Sequence, residues 1–182
     1  MPPAMRRALL LFGLGLSACI VQAPTSDGTQ PTATRPPPAA PVQVPNGANF
    51  GDKLELTNVI LAPGRLVAGD TLHVALNFKV LAPIDRDWSI FVHVEDVEGR
   101  IDRLNADHPP RRPTSQWKVG EVVRDDFEVA IPPGMPVKGV TLLLGLWDAA
   151  GDQQRLPVRN PGQVKNDGHD RVFVASIPVT QP

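Results

Sequence analysis

The sequence predicts an all-β protein, an antiparallel β-sandwich of the immunoglobulin or fibronectin type with about seven strands. Three observations lead there. Beyond residue 50, short runs alternate apolar with polar residues, the two-residue period of a half-buried strand. Clusters of Gly, Pro and Asp separate these runs at intervals of roughly 10 to 20 residues. No segment carries the 3.6-residue apolar period of an amphipathic helix. A jelly roll is the alternative arrangement of the same strands.

Residues 53–61 form the first expected strand, ended by the turn signal Ala62-Pro63-Gly64. Residues 71–80 alternate most regularly. Leu72, Val74, Leu76 and Phe78 fall on one face, with Thr71, His73, Asn77 and Lys79 on the other. Residues 88–97 and 100–104 flank Glu98-Gly99 and read as a hairpin. In residues 121–131, Val123, Phe127, Val129 and Ile131 point inward, and Pro132-Pro133-Gly134 ends the strand. Residues 140–147 are apolar on both faces, as a central strand requires, and residues 171–179 close the domain. The folded part is therefore expected over residues 50–182.

Composition restricts the function. The chain has 182 residues, a net charge of -1 and 42% hydrophobic residues, which suits one globular domain with an unstructured segment attached. Its 18 basic and 19 acidic side chains nearly cancel, so no long-range field steers it toward nucleic acid. A single cysteine excludes an intramolecular disulfide and any CxxC site, leaving core packing to hold the fold.

That cysteine stands in a telling place. Arg6 and Arg7 precede an apolar run over residues 8–16, the layout of a signal peptide. The run is too short to span a bilayer, which takes about 20 apolar residues. Leu16-Ser17-Ala18-Cys19 resembles the bacterial lipobox, in which a peptidase cuts before a cysteine whose thiol has received a diacylglycerol. The resemblance implies that residues 1–18 are removed and that Cys19 is acylated, anchoring the chain to a membrane. Arg6-Arg7 also suggests a twin-arginine signal, but its flanking residues match that pattern poorly. Ile20 stands where an aspartate would resemble an inner-membrane retention signal, which favours the outer membrane. Residues 19–49 are rich in Pro, Thr and Ala, include Pro36-Pro37-Pro38, and bury too little to order themselves. They are expected to form a tether, reaching up to about 90 Å if extended like polyproline.

A family resemblance rests on motifs in the folded part. Phe91-Val92-His93 leads to the Glu98-Gly99 turn, then to Asp107, Pro113-Thr114-Ser115-Gln116-Trp117, Gly120-Glu121 and Asp125. Gly145-Leu146-Trp147-Asp148 and Arg155-Leu156-Pro157 follow. In this order the motifs are similar to a β-sandwich module that recurs in bacterial envelope proteins, notably as a C-terminal appendage of membrane glycosyltransferases. They cover about residues 70–158. Trp147 replaces the module's usual tyrosine, and Glu98 its usual aspartate. The resemblance implies an accessory, non-catalytic module that is able to meet carbohydrate.

Two constellations admit functional roles. Trp117 lies in a proline-rich loop with Asp107, His108, Arg111 and Arg112, and an aromatic face beside polar groups suits a sugar ring. The other reading, which is favoured, has Trp117 plugging one end of the sandwich. Asp125 shares a strand face with Val123 and Phe127 and so points inward, where a carboxylate needs a partner; Arg155 or Arg103 is expected to supply it. Asp85 and Asp87 offer too few oxygens for calcium, and the four histidines lack metal-ligand spacing. No metal or cofactor is expected. There is no GxSxG elbow or phosphate loop, so an enzyme is not expected. The sequence thus predicts a lipid-anchored accessory subunit that docks on another envelope protein. A polysaccharide-binding module is the alternative, and a hydrolase the third.

Overall fold

The structure, a computed structural model, describes residues 37–100 and 103–182. Cys19, the signal segment and most of the expected tether lie outside the described residues, as do Ile101 and Asp102 of the expected hairpin.

Nine strands and one short 3-10 helix, Thr114–Gln116, make up the described fold. The strands are β1 Val42–Phe50, β2 Leu54–Ala62, β3 Leu66–Val67, β4 Thr71–Val80 and β5 Ser89–Asp96. After them come β6 Leu104–Asn105, β7 Val122–Ala130, β8 Gly139–Trp147 and β9 Val172–Thr180. They build a four-stranded sheet, β1-β2-β4-β7, and a five-stranded sheet, β3-β9-β8-β5-β6. The expected β-sandwich is therefore present, with two strands beyond the seven expected. It is not wholly antiparallel, because the two-residue β3 pairs parallel with the C-terminal β9.

The two added strands evade an alternation test for physical reasons. A bulge between Pro45 and Ala48 interrupts β1, with Gly47 at φ 91°, so the turn-type residues Pro45, Asn46 and Gly47 stand in mid-strand and hide it, although Val44, Ala48 and Phe50 keep one parity. The domain thus begins inside the segment expected as tether, and the sequence left for a tether shortens to residues 19–41. β3 is too short to show any period. A second bulge, between Leu56 and Asn58, switches the inward parity of β2, so that Leu54, Leu56, Val59 and Leu61 all enter the core. The β1–β2 hairpin closes through Gly51 and Asp52, both at positive φ, with Lys53 N–H donating to Phe50 O at 3.0 Å. Two left-handed residues in this three-residue loop, residues 51–53, turn the chain sharply enough for Phe50 to pair with Leu54.

Side chains from both sheets fill one continuous core. Leu54, Leu56, Leu72, Leu76 and Phe78 face Ile90, Val92, Val94, Leu142, Leu144 and Leu146 across it. β8, expected to be central, is the middle strand of its sheet and is buried on both faces. The loop of residues 148–171 runs from β8 to the edge of β1, where Gly51 N–H donates to Pro157 O and Arg159 N–H to Asn49 O. That loop covers the end of the β1 edge next to the hairpin, residues 47–51.

Candidate functional site

The side chains singled out by the motifs meet on the opposite flank and on the outer face of the five-stranded sheet. On the flank, the chain after β6 continues beside β5, with Ala106 N–H donating to Val92 O and His108 N–H to Ile90 O. This places the His108 ring across the gap between the sheets. Its Nε2 lies 2.7 Å from Asp125 Oδ2 on β7, its Nδ1 lies 2.7 Å from Ala106 O, and its ring packs 4.7 Å from that of Phe127. Asp125 is 4% exposed. The inward direction expected for it is therefore found, but its partner is His108 and neither Arg155 nor Arg103. Arg155 lies over the ring of Phe91 at 4.7 Å and donates to His169 O. The sheet-to-sheet register decides this pairing, because β7 and the chain after β6 are edges on the same side of the sandwich.

Burial opposes a charged His108 ring, but its bonds to Asp125 and to the Ala106 carbonyl outweigh burial and hold its pKa above the ordinary histidine value. The pair acts as a latch between the sheets.

Trp117 is 4% exposed. Its ring packs 5.9 Å from that of Phe78, and its Nε1–H donates to Arg112 O at 2.9 Å. It plugs the end of the sandwich and leaves no open aromatic face for a sugar ring. The groups expected to bind hydroxyls beside it also have structural partners. Asp107 accepts from Val92 N–H at 2.8 Å, standing in for a strand partner at the sheet edge. Arg112 pairs with Glu121, which also accepts from Lys118 N–H. A cleft of about 290 Å³ remains beside this loop, lined by Pro110, Arg111, Arg112, Trp117 and residues 121–125.

On the outer face, Phe91 lies over Gly145 of β8, its cross-strand partner, and under the Arg155 guanidinium. Next to it, Arg171 donates to Glu95 and Asp167 and lies 2.8 Å from His93 Nδ1. Burial, then the charge of Arg103, lowers the pKa of His93. Burial raises the Asp167 carboxyl, but Arg171 and the backbone N–H of His169 more than offset this and keep its pKa below the usual range. This network escaped the sequence reading, because Asp167 lies in a loop with no periodic signal and Arg171 reads only as the start of the closing strand. The motif Thr114 is likewise structural, accepting from Trp88 N–H and donating to Arg86 O. Arg86 in turn pairs with the motif Asp148. The acidic turn is similarly tied down: Lys53 bonds Asp85, and Ser115 N–H bonds Asp87. No cluster of three potential metal ligands occurs among the described residues.

These side chains define the class of arrangement: a β-sandwich module whose motif residues brace its edges and one outer face. No family model matches the chain, and no curated protein matches it. Among solved structures, the C-terminal domain of Wzt is similar over 82% of this chain and 84% of its own, with 15% identity and a TM-score of 0.44. A β-glucosidase from Listeria innocua, solved with gluconolactone, matches 73% of this chain but 16% of its own, with 15% identity and a TM-score of 0.36. Both are distant likenesses of fold.

Proposed function

We propose that this chain is a lipid-anchored, non-catalytic accessory module of a bacterial cell envelope that docks on another envelope protein. The observation that carries the reading is Leu16-Ser17-Ala18-Cys19, which puts the chain's single cysteine behind a nine-residue apolar run and ahead of a proline-rich stretch. Two or more acyl chains on such a cysteine hold a protein stably at a bilayer. Ile20, rather than an aspartate, favours the outer membrane.

The geometry supports a binding role over catalysis. The acidic and basic side chains of the motifs serve as braces: Asp125 with His108, Asp148 with Arg86, Glu121 with Arg112. A general acid or base needs a free approach for substrate, and these groups spend their hydrogen bonds on the fold. Glycan recognition at Trp117 is not proposed, since the indole has no open face. Contact with a partner falls instead to surface loops and strand edges.

Metabolic labelling with a fatty acid tests the anchor. The wild type is expected to be labelled and membrane-bound, and Cys19→Ser unlabelled and released. Equal release of both proteins would refute the reading. Pull-down from intact envelopes is expected to capture a membrane-complex partner with the wild type.

A further inference from the structure

The four-stranded sheet ends on one side in β7, whose outer edge pairs with no described strand and faces residues 110–112 only across the cleft beside residues 121–125. Val80 N–H donates to Glu121 O and Ile131 N–H to Asp70 O, with an unbroken register between them. The odd-numbered residues of β7 therefore bond to β4, and the even-numbered ones turn their backbone groups outward. Val122, Arg124, Asp126, Glu128 and Ala130 are those residues, and all five are exposed. The strand is nine residues long, with neither a bulge nor a proline. The other edges differ. β3 and β6 have two residues each, and β1 is bulged and flanked by residues 157–160. A long, regular, open edge is a ready template for another strand.

The charges on this edge choose the partner. We propose that β7 pairs antiparallel with β7 of a second copy, about a two-fold axis at Asp125, joining two four-stranded sheets into one of eight. An axis at residue 124 would set Arg124 against itself, and one at 126 would set Asp126 against itself. An axis at 127 would oppose Asp126 to Glu128. With the axis at 125, Arg124 of each copy meets Asp126 of the other, twice over. The two Asp125 also come opposite, but each carboxylate turns into its own sandwich and is held there by His108 at 2.7 Å. Among the exposed side chains this register is therefore favoured and its neighbours are penalised. Within one chain Arg124 already bonds Asp126 at 2.7 Å, but both side chains are more than half exposed, so exchanging partners costs little. In this register Glu128 of the second copy arrives opposite Val122, beside the cleft that holds Arg111 and Arg112. That cleft gives the incoming strand a complementary charge at its far end.

Charge reversal separates pairing from misfolding. In this register Arg124→Asp presents only acids across the axis and Asp126→Arg only bases, so each repels itself and attracts the other. Two differently tagged full-length copies are expressed together and captured by one tag from a detergent extract of whole cells. Wild-type copies are expected to capture each other. Arg124→Asp with Arg124→Asp, and Asp126→Arg with Asp126→Arg, are expected to lose at least about tenfold in captured partner. The mixed pair is expected to recover it. A photo-crosslinker at Val122 should give a dimer band whose attachment maps near Glu128, while one at Gln43 on β1 should give none. The proposal is overturned if wild-type copies fail to capture each other, or if single reversals leave capture unchanged. It is equally overturned if the mixed pair stays apart, or if the Val122 crosslink joins a different protein. Self-pairing is read between tagged copies and the anchor by labelling, so failure of one leaves the other standing.

Discussion

Replacing Asp125 by alanine removes one half of the latch that joins β7 to the chain after β6. The carboxylate is 4% exposed and the His108 side chain 21%, with 2.7 Å between Nε2 and Oδ2. Removing one partner of a buried pair leaves the other desolvated and unpaired, at a cost of about 3 to 5 kcal/mol. Partial solvent access to His108 places this case near the lower limit, about 3 kcal/mol. For a domain of this size that lowers Tm by about 10 °C. The pH dependence supplies a second readout. The folded pKa of His108 is raised, so its contribution is complete below the unfolded value of about 6.5 and fades as pH rises through the folded value. His93, whose pKa is lowered, works the opposite way: its contribution is present above the unfolded value and lost as pH falls through the folded one. Subtracting Asp125→Ala from wild type at each pH cancels the His93 part, since that ring lies outside the latch. Urea unfolding from pH 5 to 9 should therefore give a difference that is largest in acid and shrinks with rising pH. A difference below about 0.5 kcal/mol, or one that grows with pH, would refute the latch.

Further predictions rest on packing. Trp117→Ala should lose about 3 to 5 kcal/mol in thermal or urea unfolding, because the ring is buried against Phe78 and its N–H is bonded. If the indole were a ligand platform, the same change would leave stability nearly intact. Gly145→Ala should cost about 1 to 3 kcal/mol, since the new methyl would meet the Phe91 ring and come within 2.5 Å of Asp170 O. Phe91→Leu should recover part of this loss, and Tm measurements on the two singles and the double would check it. Trimming the chain to start at residue 50 should destabilise it strongly, because it removes the β1 residues that pair with Val59 and Leu61 and takes Ala48 out of the core. Circular dichroism of that truncation should report loss of cooperative unfolding.

The motifs of the family resemblance acquire a common meaning in the fold. Phe91 covers Gly145, Arg155 covers Phe91, Thr114 ties Trp88 to Arg86, Asp148 holds Arg86, and Asp125 holds His108. Motifs spread over the chain thus meet as mutual braces of the sandwich. A function specific to this chain is to be sought where its surface departs from that frame, as on the β7 edge.

Local pattern by itself determined where β2, β4, β5, β7, β8 and β9 lie: a period of two where one face is buried, as in β4 and β7, an apolar run on both faces in β8, and turn residues between the strands. It also determined that Asp125 points inward and that His73 points out, both consequences of parity within a strand. Tertiary structure alone decided what Asp125 meets, since the choice of histidine over arginine depends on which strands become neighbouring edges. It likewise decided that β1 begins at Val42 and that β3 pairs parallel with β9. In one, the turn-type residues Pro45, Asn46 and Gly47 at a bulge mask the strand, and in the other a two-residue strand has no period to read. Order along the chain encodes direction of burial; distance between edges is written only when the two sheets close.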